Sequence, residues 1–202
     1  KAFIAQVTVF ILIALFISKN YPHYTSLIKA LDGVPKQLEQ ILGQKDAIKK
    51  IAQKYAHHND FLYIGRRYAY PVAMEGALKI KEISYIHAEG FAGGEMKHGP
   101  LALIDENFPT FAIALSNDID EKSISNMQEI HARKGPIVAL VDDPDSAAAK
   151  LADDVIVIPK AMEQVQPILS AVVTHLFAYY AAQELGRDID KPRNLAKSVT
   201  VE

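Results

Sequence analysis

From residue 61 onward, short apolar runs alternate with stretches of helical period. The runs are "FLYIG" (Phe61 to Gly65), "PTFAIAL", "PIVALVDD" and "DVIVIP". Between and after them lie "EGALKIKEISYI", "EKSISNMQEIHARKG", a short "DSAAAKLA" and a long "EQVQPILSAVVTHLFAYYAAQELG". Continuous apolar strands separated by helices predict an α/β fold, a doubly wound parallel sheet with helices on both faces. In such sheets ligands sit at the carboxyl ends of the strands. Upstream, "YTSLIKALDG" predicts a helix that ends at Gly33. "VPKQLEQILGQ" and "KDAIKKIAQKYAHH" then read as amphipathic helix. The end, "RDIDKPRNLAKSVTVE", is a polar tail.

The chain opens on "AFIAQVTVFILIALFIS". Its unbroken apolar run, Val9 to Ile17, is shorter than the ~20 residues a membrane span needs. Gln6 and Thr8 interrupt it upstream, and no small-residue cleavage site follows it. The expectation is a buried helix that belongs with a preceding domain.

The stretch from Glu75 carries an unusual pattern. At about 100° per residue, Glu75, Lys79 and Glu82 fall within about 60° of one another. Leu78 and Tyr85 flank this row on one side and Ile83 on the other, with Ile86 inside it. A solvated row of ion pairs is what most helices would make of such spacing, worth a few tenths of a kcal/mol. The apolar flanks point elsewhere. A carboxylate among Leu78, Tyr85 and Ile86 would be desolvated toward the range of a general base. An adjacent amine can donate to a substrate oxygen. The pair is equipment for moving a proton next to a carbonyl.

The sequence "GFAGGEMKHGP" follows, with Gly90, Gly93, Gly94, Gly99 and Pro100 making a flexible loop around His98. A loop histidine is by itself a surface residue. Beside a proton-transfer helix, an imidazole can also open a hemiketal ring near neutral pH. The Gly-Gly pair is not a dinucleotide fingerprint, since G-x-G-x-x-G is absent.

Composition narrows the classes. The chain has 202 residues, half of them hydrophobic, which supports one full domain with extra elements. A net charge of -2 and a pI of about 6.4 provide no basic surplus for nucleic acid or anionic membrane. Without cysteine, there is no disulfide, thiolate metal site or cysteine nucleophile in these residues, and a reducing cytoplasm fits. No cofactor and no metal are expected.

Taken together, "EGALKIKEISYIHAEGFAGGEMKHGPLALID" and "KPRNLAKSVTVE" resemble the isomerase half of the glutamine–fructose-6-phosphate aminotransferase family. That half is two sugar isomerase (SIS) domains in tandem, each a parallel sheet with helices on both faces. The resemblance covers essentially the whole chain, and "KAFIAQVTVF" is similar to the last helices of the first SIS domain. It implies three segments: residues 1–42 as helical remnant and linker from the first SIS domain, 43–187 as the second SIS domain, and 188–202 as a tail that contributes to the active site.

The resemblance also implies roles. Glu82 would move a proton between C1 and C2 of the sugar, and Lys79 would assist at the C1 oxygen. His98 would help open the fructose ring and reach into the site of a neighbouring subunit of a homodimer. Lys197 would form a Schiff base with the open ketose, while Glu75 and Ala196 line the substrate. The partners implied are fructose 6-phosphate, glucosamine 6-phosphate and a glutaminase domain in the parent chain. The tail pattern is compatible: Pro192 stops any helix, and Leu195, Val199 and Val201 alternate with Ala196, Ser198 and Thr200 as if one side packs. "GRRYAYP" is more basic than the family's usual turn, so Arg66 and Arg67 are either surface residues or contacts for an anion. A plain SIS sugar-phosphate isomerase would not need Lys197. A non-catalytic sugar-phosphate-binding SIS module would need a pocket but not Glu82, Lys79 and Lys197 together.

Overall fold

The computed structural model describes residues 2–116 and 120–195. The apolar runs form β1 (Asp60–Gly65), β3 (Thr110–Ile113), β4 (Ile137–Val141) and β5 (Asp154–Val157), and β2 (His87–Ala92) joins them. Every pairing is parallel, in the order β2-β1-β3-β4-β5. The helices are α1 (Ala2–Ile17), α2 (Tyr24–Gly43), α3 (Lys45–Tyr55), α4 (Ala69–Ser84), α5 (Asp120–His131), α6 (Ala147–Leu151) and α7 (Gln166–Glu184). The expected α/β doubly wound architecture is observed.

The two-residue period of the strands divides the core. Phe61, Tyr63, Phe111, Val138, Leu140 and Ile156 face a layer made by α2, α3, α4 and α7. Leu62, Ile64, Ala112, Ile137, Ala139 and Val141 face the opposite layer, with Met127 and Ile130 of α5 and Ala148 of α6. Sheets buried on both faces need such continuous apolar strands. On the first face the rings of Phe61, Tyr63, Phe111 and Phe177 pack with centroids 5.1 to 5.7 Å apart. Gly76 lets α4 lie directly on this nest. A Cβ there would stand 2.8 Å from Tyr63 Cε1 and 3.0 Å from Thr174 Cβ of α7.

Three elements depart from the sequence expectation. α2 runs unbroken through Gly33 and Pro35. A proline inside a helix costs about 3 kcal/mol, but Leu27, Val34 and Ile41 recur every two turns and are all buried. Their packing holds the helix together across the proline. The loop expected after the charged helix begins instead with β2, an edge strand on β1. Short 3-10 turns then run from Gly93 to His98 and from Pro100 to Leu103. Finally, α1 is helical but not buried. Ile11 and Leu15 are buried and Phe3, Ile4 and Val7 partly so, while Phe10 is 69% and Phe16 76% exposed. Among the described residues, no helix is long and apolar enough to cross a membrane.

Candidate active site

α4 contributes the charged row. Its buried face is Val72, Ala73, Gly76, Ala77, Ile80 and Ser84, so Glu75, Lys79 and Glu82 lie on the shoulder of that face rather than in its centre. The helix ends at Ser84. Tyr85 takes a left-handed conformation at φ 67° and caps it with an N–H bond to Lys81 O, and Ile86 turns into β2. Tyr85 and Ile86 are therefore not helical flanks of the row, and Leu78 is 43% exposed. The greasy enclosure expected around Glu82 is not made by α4 alone.

What the row does have is close charge pairing. Lys79 Nζ donates to Glu82 Oε2 at 2.5 Å and stands 4.0 Å from Glu75 Oε1. Glu75 is the most covered member, its side chain 11% exposed, and its direct hydrogen-bond partner is His175 Nε2 of α7 at 2.9 Å. The sequence reading missed His175. It is brought to Glu75 by the packing of α7 on α4, and its single advance signal was an imidazole inside the largely apolar "ILSAVVTHLFAYYAA". Burial pulls its pKa below the ordinary value, the Glu75 carboxylate opposes that pull, and Lys79 adds to it.

The row also lies at an unexpected end of the sheet. α4 follows β1 and runs back along it, so Glu82 sits near the amino ends of the strands. The switch point at the carboxyl ends of β1 and β3 holds other residues: Gly65, Arg66, Ile113 and Asn126 line a crevice there. Arg66 Nη1 donates to Asn126 Oδ1 at 3.1 Å, and Arg67 pairs with Glu163 at 2.5 Å. The ligand position expected from strand ends does not coincide with the charged row, because these side chains ride on a helix and not on strand–helix loops.

His98 is not brought to the row. It follows the carboxyl end of β2, is 74% exposed, and its Nε2 is 3.9 Å from Glu95 Oε2. A six-residue strand spans about 20 Å, and Glu82 lies near its other end. The tail, in contrast, starts beside α4. α7 runs in the same direction as α4, and the backbone N–H of Arg193 donates to Tyr85 Oη at 2.8 Å. Ala196 and Lys197 lie outside the described residues. Among the described residues, no group of three or more His, Asp and Glu side chains could hold a metal ion.

The fold and the row define a class. The SIS domain model matches residues 54–185, and the chain belongs to the SIS domain family. Along its whole length it is similar to glutamine–fructose-6-phosphate aminotransferases [isomerizing]: 44% identical over 207 residues to that of Bacteroides thetaiotaomicron and 47% over 202 residues to that of Aquifex aeolicus. In both cases all of this chain and 34% of the relative are covered, so the chain spans about a third of the length of these curated relatives. Among solved structures, the C-terminal domain of glucosamine-fructose-6-phosphate aminotransferase from Francisella tularensis superposes with a TM-score of 0.88 at 33% identity, covering 95% of this chain and 56% of that one. A tagatose-6-phosphate ketose/aldose isomerase structure from Clostridium novyi, at a TM-score of 0.78 and 22% identity over 95% of this chain and 53% of that one, shares the fold. The family resemblance read from the helix–loop motif and the tail is borne out.

Proposed function

We propose that this chain is the sugar-isomerising part of a longer glutamine–fructose-6-phosphate aminotransferase, which converts fructose 6-phosphate and glutamine-derived ammonia to glucosamine 6-phosphate. The observation that carries this reading is the Lys79 amine held against Glu82, with Glu75 behind it, on one shoulder of α4. A ketose becomes an amino aldose when the C2 carbonyl oxygen leaves as water and the nitrogen of ammonia takes its place, a proton moves from C1 to C2, and the proton of the C1 hydroxyl passes to the nitrogen. Glu82 serves as the base and acid of that transfer, and Lys79 stabilises charge at the C1 oxygen. Lys197 first takes the open ketose as a C2 Schiff base, releasing that water, and ammonia then displaces the lysine amine to leave its own nitrogen at C2, with Ala196 and Glu75 against the substrate. Tyr85 supports this assignment by tying the tail's start to the end of α4.

His98 acts in the site of the partner subunit of a homodimer. Its distance along β2 from Glu82 favours that over action in its own chain. Residues 1–42 are the helical remnant of a preceding SIS domain and the linker from it, 43–187 the second SIS domain, and 188–202 the site-forming tail. The apolar side chains left open on α1 fit such a neighbour. The reaction runs in the cytoplasm, without cofactor, nucleic acid or membrane.

The test is Glu82→Gln in the full-length protein. Glutamine keeps the shape but cannot accept the proton, and loss of a general base costs ~10²–10⁴-fold. Glucosamine 6-phosphate formation is expected to fall by that factor while glutamine hydrolysis persists. Unchanged synthesis would remove Glu82 from the role given to it.

A further inference from the structure

We infer that His175 is a positioning residue of this site: by holding Glu75, it decides which carboxylate binds the Lys79 amine. The inference rests on the functional reading above for its kinetic consequence, though not for its geometry.

Lys79 stands between two carboxylates on the same helix. Spacing alone does not choose between them, since i,i+3 and i,i+4 pairs are both within reach on a helix. In the structure the choice is made. Lys79 Nζ is 2.5 Å from Glu82 Oε2 and 4.0 Å from Glu75 Oε1. The same Glu75 oxygen is 2.9 Å from His175 Nε2. An ionised carboxylate only accepts, so Nε2 carries the hydrogen and donates it. Burial favours the neutral imidazole, which satisfies Glu75 without cancelling its charge. Glu75 is thus held back as a fixed anion, and Lys79 is left to Glu82.

Among the described residues, removal of the imidazole would leave Glu75 with no direct hydrogen bond, at a position only 11% exposed. An unsatisfied buried carboxylate is costly, and the nearest remedy is the amine one turn along the same helix. Lys79 would then be shared with Glu75 and drawn from Glu82, and the proton-transfer group would lose its partner. His175 is placed for this task because α7 presents Thr174 and Phe177 to the core, with His175 beside Thr174 at the edge facing α4.

The experiment compares His175→Leu and His175→Gln in the full-length protein. Leucine fills the space without a donor. Glutamine keeps an N–H at similar reach. For His175→Leu, kcat for glucosamine 6-phosphate formation is expected to fall about 10–100-fold, the size seen when a reacting group is slightly misplaced, with KM changed less than about 3-fold. For His175→Gln, most of the loss should return. A second measurement needs no turnover: the rate of Lys79 acetylation by acetic anhydride, read by peptide mass spectrometry against the other lysines. With two carboxylates competing for it, Lys79 should react several-fold more slowly in His175→Leu and at the wild-type rate in His175→Gln. If the labelling follows this pattern in a protein that makes no glucosamine 6-phosphate, the positioning stands and the functional reading falls. Unchanged Lys79 labelling and kcat in a folded His175→Leu variant would overturn the inference. Equal losses of kcat in both variants with unchanged labelling would overturn it as well, by reducing His175 to a packing residue.

Discussion

The phenolic oxygen of Tyr85 accepts a hydrogen bond from the backbone N–H of Arg193 at 2.8 Å, and the Arg193 guanidinium lies 4.3 Å from the centre of the same ring. The Arg187 guanidinium is 5.2 Å from that centre. One residue therefore ends α4 and receives the chain as it leaves α7. Tyr85→Phe removes the acceptor and keeps the ring, for a net loss of about 0.5–1.5 kcal/mol. Tyr85→Ala also removes the cation–π contacts, roughly 0.5–1 kcal/mol each at exposed sites. Trypsin cleavage after Arg187, Lys191 and Arg193 should accelerate modestly in the first variant and more in the second. Equal cleavage rates in wild type and Tyr85→Ala would show that the tail is held by something else.

The placement of His98 leads to a complementation experiment. His98 lies beyond the carboxyl end of β2, and Glu82 lies near its amino end. If each site takes Glu82 from one subunit and His98 from the other, mixed dimers of His98→Ala and Glu82→Gln full-length chains contain one site with both residues intact. Activity should rise on mixing toward about a quarter of wild type, since half the dimers in a random mixture are mixed and each has one intact site of two. Mixing with proven subunit exchange and no recovery would mean that each site takes both residues from one subunit.

The sheet was legible because its strands are continuous apolar runs that only a doubly covered sheet can bury. β2 was not, because "HAEGFA" on the sheet edge mixes polar and small residues and resembles a loop. Gly33 and Pro35 read as a break in α2, but three buried side chains at two-turn intervals outweighed it. The charged row was legible as a row, and its setting was misjudged by counting Tyr85 and Ile86 as helix. His175 was not legible as a partner, since the contact joins residues far apart in sequence through helix packing. Periodicity places residues on a face and does not say what another helix lays over that face.

Gly76 sits where α4 meets β1 and α7, and it has no room for a side chain. The Cβ of alanine would stand 2.8 Å from Tyr63 Cε1 and 2.9 Å from Tyr63 Cδ1. Tyr63 is fully buried and stacked 5.1 Å from Phe111, so its ring cannot move aside freely. Overpacking of this kind costs about 1–3 kcal/mol, against a helix-propensity gain of under about 1 kcal/mol for Gly→Ala. Gly76→Ala should lower the urea midpoint with m unchanged. A midpoint equal to or above wild type would show that the nest has slack.

The pH dependence of stability provides a separate test of the His175–Glu75 contact. Burial lowers the folded-state pKa of His175 below its ordinary 6.5, with Glu75 opposing and Lys79 adding to the shift. Between the folded value and 6.5 the unfolded chain binds more protons than the native one, so unfolding is favoured as pH falls through that window. The contribution of His175 is fully present above about pH 6.5 and lost as pH falls toward and through the folded value. His175→Gln has no such titration. Urea midpoints measured from about pH 8 down to about pH 5 should therefore fall more steeply in wild type than in His175→Gln, with the curves separating below about pH 6.5. Every group other than residue 175 is common to both proteins and cancels in the difference. Parallel curves would mean that His175 takes up its proton equally well in the folded and unfolded states, and that the neutral imidazole assigned to the Glu75 hydrogen bond is wrong.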